Sequence, residues 1–462
     1  MPLRYCEAKS CSFPSVRGFT GRCMICCKFF CGSHFASAEH SCPNPHDDVN
    51  RYRYFDALIK ARTSRLEDLL GQLDHKALAA TASAARNGIP CSIPAFAPGA
   101  ETAEIAKAQQ GGQNFHLDII FDDDVVWIAR LKLANSPNVP PGEIQDYLFK
   151  SEVATMKFLA TTEVLAPKIY DAKLRHDPTN KVGLSYMLLE KLPGKTLDWN
   201  GAPDEGRKKI AIQLAEIFIE LQKFPFDQAG SIIDFEDGKA TVGGYANRNF
   251  FTSPDGQSLG PFSSAKDAYE AIITHQLSLI TNGEIGPLQV ENYLLFRYLQ
   301  EKLPEIVEKL GAHDRKFYLN HDDDKGDHLL VDDDWNITAI LDWEWATLEP
   351  EPVAFASPCM LWPVNDFYAG KSKLAPEEIV LAAEYKKRGR TDMAEFIKSG
   401  RYWQRWQFMT VGMQEREEDL EGLIKGLVDV FGEGMEYVAW KKTMMEKLKD
   451  DDGLAILGRV TV

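Results

Sequence analysis

The sequence predicts an α+β protein in which a small β-rich lobe is followed by a large helical lobe, with a separate cysteine-rich segment in front. Three observations carry this. Seven of the nine cysteines fall between Cys6 and Cys42. Apolar runs bounded by turn residues lie at 115–121, 125–132 and 186–190. Beyond Pro193-Gly194 apolar residues recur at helical spacing for most of the remaining chain.

Taken in order, residues 1–45 are rich in Cys, Gly and Ser and too short to bury a core, so they need a staple. From Val49 to about Arg86, Tyr54, Leu58, Ala61, Leu66, Leu69, Leu70 and Leu73 repeat at helical spacing, predicting one or two helices that link to the next domain. Asn87-Gly88-Ile89-Pro90 ends them, and Ala95 to Gly99 forms a Pro-containing joint. Phe115–Phe121, Val125–Lys132 and Tyr186–Glu190 read as strands, with Asp122-Asp123-Asp124 as the hairpin turn between the first two. Ile144 to Leu159 is amphipathic and predicts a helix between strands. Helices are then expected over 205–224, 265–282, 288–311, 375–389, 391–430 and 433–448.

Composition narrows the function. A hydrophobic content of 44% with 11% aromatics is that of a folded chain, and 462 residues exceed one ordinary domain. The net charge of −16 argues against nucleic acid as partner, because phosphate contacts need a basic surface. No stretch reaches the roughly 18 apolar residues of a membrane span, and the first residues lack the apolar run of a secretory signal. The expected location is the cytoplasm, with the nucleus open. In such a reducing compartment, crowded cysteines read as metal ligands before disulfides.

The cysteine spacing is Cys6-x4-Cys11-x11-Cys23-x2-Cys26-x4-Cys31-x2-His34-x5-His40-x-Cys42, eight S/N donors for two tetrahedral zinc ions. With Phe19-Thr20-Gly21 and Phe30-Cys31-Gly32-x-His34, this stretch resembles the AN1-type zinc finger. The resemblance implies interleaved sites, with Cys6, Cys11, Cys31 and His34 on one ion and Cys23, Cys26, His40 and Cys42 on the other. The family's first pair is usually separated by two residues and here by four, which sets the first site apart; Cys27 is an alternative to Cys26. Such closed sites serve structure or a protein partner, not catalysis.

The most informative segment is His321-Asp322-Asp323-Asp324-Lys325-Gly326-Asp327-His328, followed by Leu329-Leu330-Val331 and by Ile340-Leu341-Asp342-Trp343-Glu344. It resembles the catalytic loop and metal-binding turn of the aminoglycoside phosphotransferase/choline kinase-like family, and its Lys-Gly-Asp-His stretch is similar to a fungal group within it. The resemblance covers about residues 98–430. It implies a bilobal protein-kinase-like fold, with a zinc finger over 1–45, a helical linker over 46–97, an N-lobe over 98–194 and a helical C-lobe over 195–462. It implies transfer of a phosphoryl group from ATP or GTP to a hydroxyl of a small molecule, with Mg²⁺ or Mn²⁺. On that template Asp323 is the base, His321 braces the loop, Lys325 neutralises the transferred phosphate and Asp342 takes the metal. His328 stands where the family has an Asn as second metal ligand, and Asp327 is the alternative oxygen donor.

On the nucleotide side, Gly111-Gly112 precedes the first strand and offers backbone N–H groups to phosphates. Period-2 alternation puts Ile128, Arg130 and Lys132 on one strand face. Arg130 falls where kinases place a lysine, Lys132 is its alternative, and Glu152 is the matching helix carboxylate. Residues 190–192, including Glu190 and Leu192, resemble the segment that holds adenine. Trp362, Asp366, Trp403 and Trp406 offer an aromatic and acidic pocket for a cation. Two rivals to an active enzyme stand: a nucleotide-binding pseudokinase, because Arg130 and His328 deviate, and an adaptor acting through the finger.

Overall fold

The structure is a computed structural model and describes all residues except 1, 18–20, 36–39, 44–50, 95–98, 109–112, 134–139, 141, 413, 415 and 461–462. The chain divides into two compact units, one of residues 1–149, 167–192 and 254–256 and the other of residues 150–166, 193–253 and 257–462. No helix among the described residues is long and apolar enough to cross a membrane.

The first unit contains α1 (Arg51–Gln72), α2 (His75–Ala85), β1 (Cys91–Ser92), α3 (Ala100–Ala108), β2 (Asn114–Phe121), β3 (Val126–Lys132), the start of α4 (Gly142–Leu159), β4 (Ile169–Lys173) and β5 (Tyr186–Glu190). The strands form one antiparallel sheet in the order β1-β2-β3-β5-β4. Period-2 alternation decides which face is buried: Phe115, Leu117, Ile119 and Phe121 on β2 and Trp127, Ala129 and Leu131 on β3 point into the core. The β2–β3 turn at Asp122–Asp124 places Asp124 at φ 64°, and Arg86 pairs with both oxygens of Asp123 at 2.5 and 2.7 Å.

Helices α1 and α2, expected as a link, belong to this core. Leu66, Leu69, Leu73, Leu78 and Ala82 pack with β2, β3 and β5 in one cluster. Asp74 ends the short break between the two helices by accepting the Ala77 N–H at 2.9 Å, which caps α2.

The second unit begins with β6 (Lys195–Thr196), α5 (Asp204–Leu221), β7 (Ser231–Glu236) and β8 (Lys239–Gly243). It continues with α6 (Ala265–Thr281), α7 (Gln289–Leu310), β9 (Phe317–Asn320), β10 (Leu329–Val331), β11 (Ile337–Ile340) and β12 (Thr347–Pro350). The remainder is helical: α8 (Glu351–Ala354), α9 (Val364–Tyr368), α10 (Pro376–Lys387), α11 (Thr391–Lys398), α12 (Gly400–Val411), α13 (Glu417–Val430), α14 (Tyr437–Lys447) and α15 (Asp452–Val460). Its strands make three small sheets, β6-β10-β11, β9-β12 and β7-β8. The single helix expected over 391–430 is three helices, because Ser399 interrupts the helical course before α12 and Gly412 is extended after it. The β7–β8 hairpin stands where no strand was expected. Its two-residue turn is Asp237-Gly238, both at positive φ (51° and 75°), which is the chemistry a tight hairpin asks for.

Candidate functional site

Strands β9, β10 and β11 present the loop 321–328 and the turn at Asp342 together. Leu341 N–H donates to the His328 carbonyl at 2.7 Å, and His321 Nε2 donates to the Leu341 carbonyl at 2.7 Å. The His321 ring also lies edge-on to Trp343, with centroids 4.7 Å apart. One imidazole therefore fastens the start of the loop to the residue preceding Asp342. Asp322 and Asp342 both adopt left-handed backbone, at φ 49° and 62°. Such strain in non-glycine residues persists where surroundings over-determine it, as functional turns do.

Lys325 Nζ lies 3.2 Å from Asp323 Oδ1 and 3.8 Å from Asp327 Oδ2. Burial would lower the pKa of its ammonium, but Asp323, Asp327 and Asp342 outweigh burial and raise it. Asp323, Lys325 and Asp342 thus share one electrostatic neighbourhood. Gly326 at φ 107°, with Trp199 and Met360 beside it, allows the tight turn that follows Lys325. Asp324 is turned away from this group: its carboxylate accepts the Cys359 N–H at 2.9 Å and its carbonyl the Met360 N–H at 3.0 Å, tying the loop to the segment after α8. Burial and the Asp324 and Asp323 charges push the Cys359 thiol up to about 12.

His328 is hydrogen-bonded within the loop. Its Nδ1 accepts the Gly326 N–H at 3.2 Å, and burial, then His321 and Lys325, lower its pKa to about 2. A neutral ring whose Nδ1 accepts this hydrogen bond carries its proton on Nε2. Asp327, mostly exposed, is the oxygen donor adjoining it.

Residues that the sequence did not single out surround the loop. Asn247 Nδ2 donates to Asp322 Oδ2 at 3.4 Å, and Gln407 Nε2 to Asp322 Oδ1 at 3.5 Å. Burial, with Asp324 and Asp323, raises the Asp322 carboxyl to about 7. Glu349 on β12 is buried as well, and burial and Asp322 raise it to about 8. These two acids form a protonatable pair beneath the loop. No spacing rule links residues 247, 349 and 407 to 322, so only the fold could reveal them.

The aromatic pocket for a cation is not formed. Trp403 and Trp406 are core, with Trp406 edge-on to Tyr269 at 5.4 Å, and Asp366 is paired with Lys371 at 2.8 Å. Trp362 stacks on Phe367 and donates through Nε1 to the Ser357 carbonyl at 2.9 Å.

In the first unit, Arg130 and Lys132 lie on the β3 face opposite Trp127, Ala129 and Leu131, and both are buried. Arg130 stands between His116 on β2 and Met187 on β5. Glu190 ends β5, and its N–H donates to the Lys168 carbonyl at 2.9 Å. Glu152 is fully buried on the part of α4 in the second unit. Gly111 and Gly112 lie outside the described residues.

The N-terminal segment brings its donors together in two sets of four, Cys6, Cys11, Cys31 and His34, and Cys23, Cys26, His40 and Cys42, each with ligand atoms within 4.8 Å of one another. Separations of 3.6 Å (Cys6–His34), 3.2 Å (Cys31–His34), 4.0 Å (Cys11–Cys31) and 3.6 Å (Cys26–His40) bracket the edge of about 3.8 Å that tetrahedral zinc thiolate geometry requires. His40 Nδ1 donates to the Phe35 carbonyl at 2.8 Å, which turns Nε2 toward Cys26 as a ligand. Burial, then Cys23 and Cys26, raise the Cys42 thiol to about 12, so Cys42 keeps its proton unless a cation offsets the crowded charge. Cys27 is outside both sets, and its Sγ accepts from Arg65 at 3.5 Å. The donor sets fit zinc.

A family model described as "Phosphotransferase enzyme family" matches residues 131–365. No curated protein matches. Among solved structures, the chain is similar to an aminoglycoside 2'-phosphotransferase-IIIa variant bound to GDP, at 16% identity over 74% of this chain and 89% of that one, with a TM-score of 0.36. It is likewise similar to aminoglycoside phosphotransferase APH(4)-Ia, at 13% identity over 81% of this chain and 97% of that one, with a TM-score of 0.41.

Proposed function

The chain belongs to the phosphotransferase enzyme family, and from that premise we propose that it transfers a phosphoryl group from ATP or GTP to a hydroxyl of a small molecule. The observation that carries this is the His321–Leu341 hydrogen bond, which holds the Asp323–Lys325 loop and the Asp342 turn in one place. Asp323 accepts the hydroxyl proton of the acceptor, and its carboxylate is held ready by Lys325 at 3.2 Å. Lys325, kept charged by three carboxylates, compensates charge on the phosphoryl oxygens in flight. Asp342 holds a divalent ion, with Asp327 as the second oxygen donor in place of His328. When bound, that ion would supply positive charge against the nucleotide phosphates. Arg130, Lys132 and Glu152 serve the phosphates, and the backbone of Glu190 and Leu192 the base.

The two Cys/His sets each hold a structural zinc ion, as in an AN1-type finger, and present a surface to a protein partner. Elemental analysis of the purified protein tests this part, with two zinc per chain expected.

Turnover tests the main reading. With ATP and Mg²⁺ or Mn²⁺ the protein is expected to hydrolyse nucleotide slowly without acceptor. Asp342→Ala abolishes this, and Asp323→Asn lowers it by about 10² to 10⁴-fold. A second reading, nucleotide binding without transfer, is favoured by the engaged His328 nitrogen. A nucleotide-induced thermal shift with no turnover for either metal, across a panel of alcohols, would decide for it.

A further inference from the structure

A segment far from the catalytic loop in sequence lies against both halves of the site. Asn247 caps the one-turn helix Arg248–Phe250 by accepting the Asn249 N–H at 3.0 Å, and the same side chain donates to Asp322, the neighbour of Asp323. One residue earlier, the Ala246 N–H donates to Ser231 Oγ at 2.9 Å, and Ser231 Oγ donates to the Ala346 carbonyl at 2.9 Å. Ser231 is fully buried, so this hydroxyl bridge is shielded from water and fixes the segment to the end of the Asp342–Trp345 turn. Between these anchors, the Arg248 guanidinium lies 5.3 Å over the ring of Trp345. Burial would lower the pKa of Arg248, while Glu344 and then Asp323 oppose that loss.

We propose that Arg248 is a positioning residue that spans the site, joining the Asp323 side of the catalytic loop to the Glu344–Trp345 turn behind Asp342. The assignment rests on the roles given above to Asp323 and Asp342. A planar guanidinium suits the task, because it stacks on the Trp345 ring while its charge acts on the Glu344 and Asp323 carboxylates on either side. Lysine keeps the charge but can make only point contacts. Methionine keeps the length and loses the charge. Lys325 and Arg248 then divide the work: Lys325 sits among Asp323, Asp327 and Asp342, while Arg248 sets the distance between base and metal-side turn. A misplacement of about 1 Å between such groups costs on the order of 100-fold in rate.

Two measurements on the full chain test this. Nucleotide hydrolysis is compared for wild type, Arg248→Lys and Arg248→Met. The expected result is a fall in kcat of about 10-fold or more for Arg248→Met, nucleotide KM within about 3-fold of wild type, and an intermediate kcat for Arg248→Lys. Unchanged kcat in Arg248→Met, or equal losses in both variants with KM raised, overturns the proposal. The second measurement needs no turnover: thermal unfolding cycles pair Arg248→Met with Glu344→Gln and with Asp323→Asn. Both cycles are expected to depart from additivity by about 2 °C or more, and additivity in either one overturns the bridge. Should wild type show no turnover at all, the phosphotransfer reading falls and the two cycles alone decide whether Arg248 spans the site.

Discussion

Asp322 and Glu349 are two carboxyls whose ordinary range lies near pH 4; burial with the Asp324 and Asp323 charges holds the first at about 7, and burial with the Asp322 charge holds the second at about 8. A carboxyl whose pKa is raised on folding binds its proton more tightly in the native state. Its contribution to stability is complete below the ordinary carboxylate range and is lost as pH rises to the raised value. Each group therefore contributes a fall of up to about 1.4 kcal/mol per pH unit, from about pH 4 to about 7 for Asp322 and to about 8 for Glu349. The expected outcome is that Glu349→Gln melts with a flatter pH dependence than wild type across this window. A parallel profile would show that the pair does not titrate there. At this scale the sequence was informative only where chemistry is contiguous. His321, Asp323, Lys325 and Asp342 stand within one recognisable pattern, and the fold places them in one neighbourhood. Asn247, Arg248, Glu349 and Gln407 reach the same loop from three other elements, and nothing in their local sequence marks them. At His328 the pattern suggests a metal ligand, and what the fold adds is the Gly326 N–H at its Nδ1, a contact that spacing does not foretell.

Among elements, α10 and α12 hold the segment that supports the loop. Glu378 and Arg401 form a fully buried pair with Oε2 and Nη2 at 2.5 Å, and Glu378 Oε1 accepts from Ser357 Oγ. Gln404 donates to the Ser357 carbonyl and hydroxyl at 3.0 and 2.7 Å, and two residues later Cys359 N–H reaches Asp324. Removing one partner leaves an uncompensated buried charge, which costs about 3 to 5 kcal/mol. Glu378→Ala is thus expected to lower the unfolding midpoint sharply and to depress turnover together with it, because the loss passes through Ser357 to the catalytic loop. An unchanged melting temperature would remove the network from this role. The strands at 114–121, 126–132 and 186–190 were legible because alternation is a local signal with a fixed period. The division of 391–430 into three helices was not, since apolar periodicity runs on through Ser399 and Gly412 while tertiary packing turns the backbone. The Asp237-Gly238 hairpin did carry a local signal, but its strands are short and half-exposed, so their alternation is weak.

Over the whole molecule, two hydrophobic clusters of very different size sit in the first unit, and they predict how it responds to metal loss. The cysteine-rich segment buries Cys6, Cys23, Phe30 and Cys31, three of which are thiols of the metal sets. So few buried side chains cannot offset the conformational entropy of ordering some forty residues, and the two zinc ions proposed above would supply the difference. The second cluster joins Leu66 to Ala82 with the β-sheet and shares no residue with the first. Arg65 on α1 reaches from one to the other, donating to the Met24 carbonyl at 3.3 Å, the Ile25 carbonyl at 3.2 Å and Cys27 Sγ at 3.5 Å. Those carbonyls lie in the Cys23–Cys26 turn, where Ile25 N–H also donates to Cys23 Sγ at 3.4 Å, so under the two-zinc proposal their convergence would depend on Cys23 and Cys26 sharing an ion. Chelation is therefore expected to release two zinc ions and open residues 2–43 to protease, while amides of α1 after Leu66, of α2 and of β2 keep their exchange protection. Arg65→Ala is expected to retain both ions yet expose Met24 and Ile25 to the same protease, which separates docking from metal binding. If chelation instead abolished protection in β2 and β3 in a single step, the segment would be part of the core's cooperative unit, and the clusters would not be energetically separate.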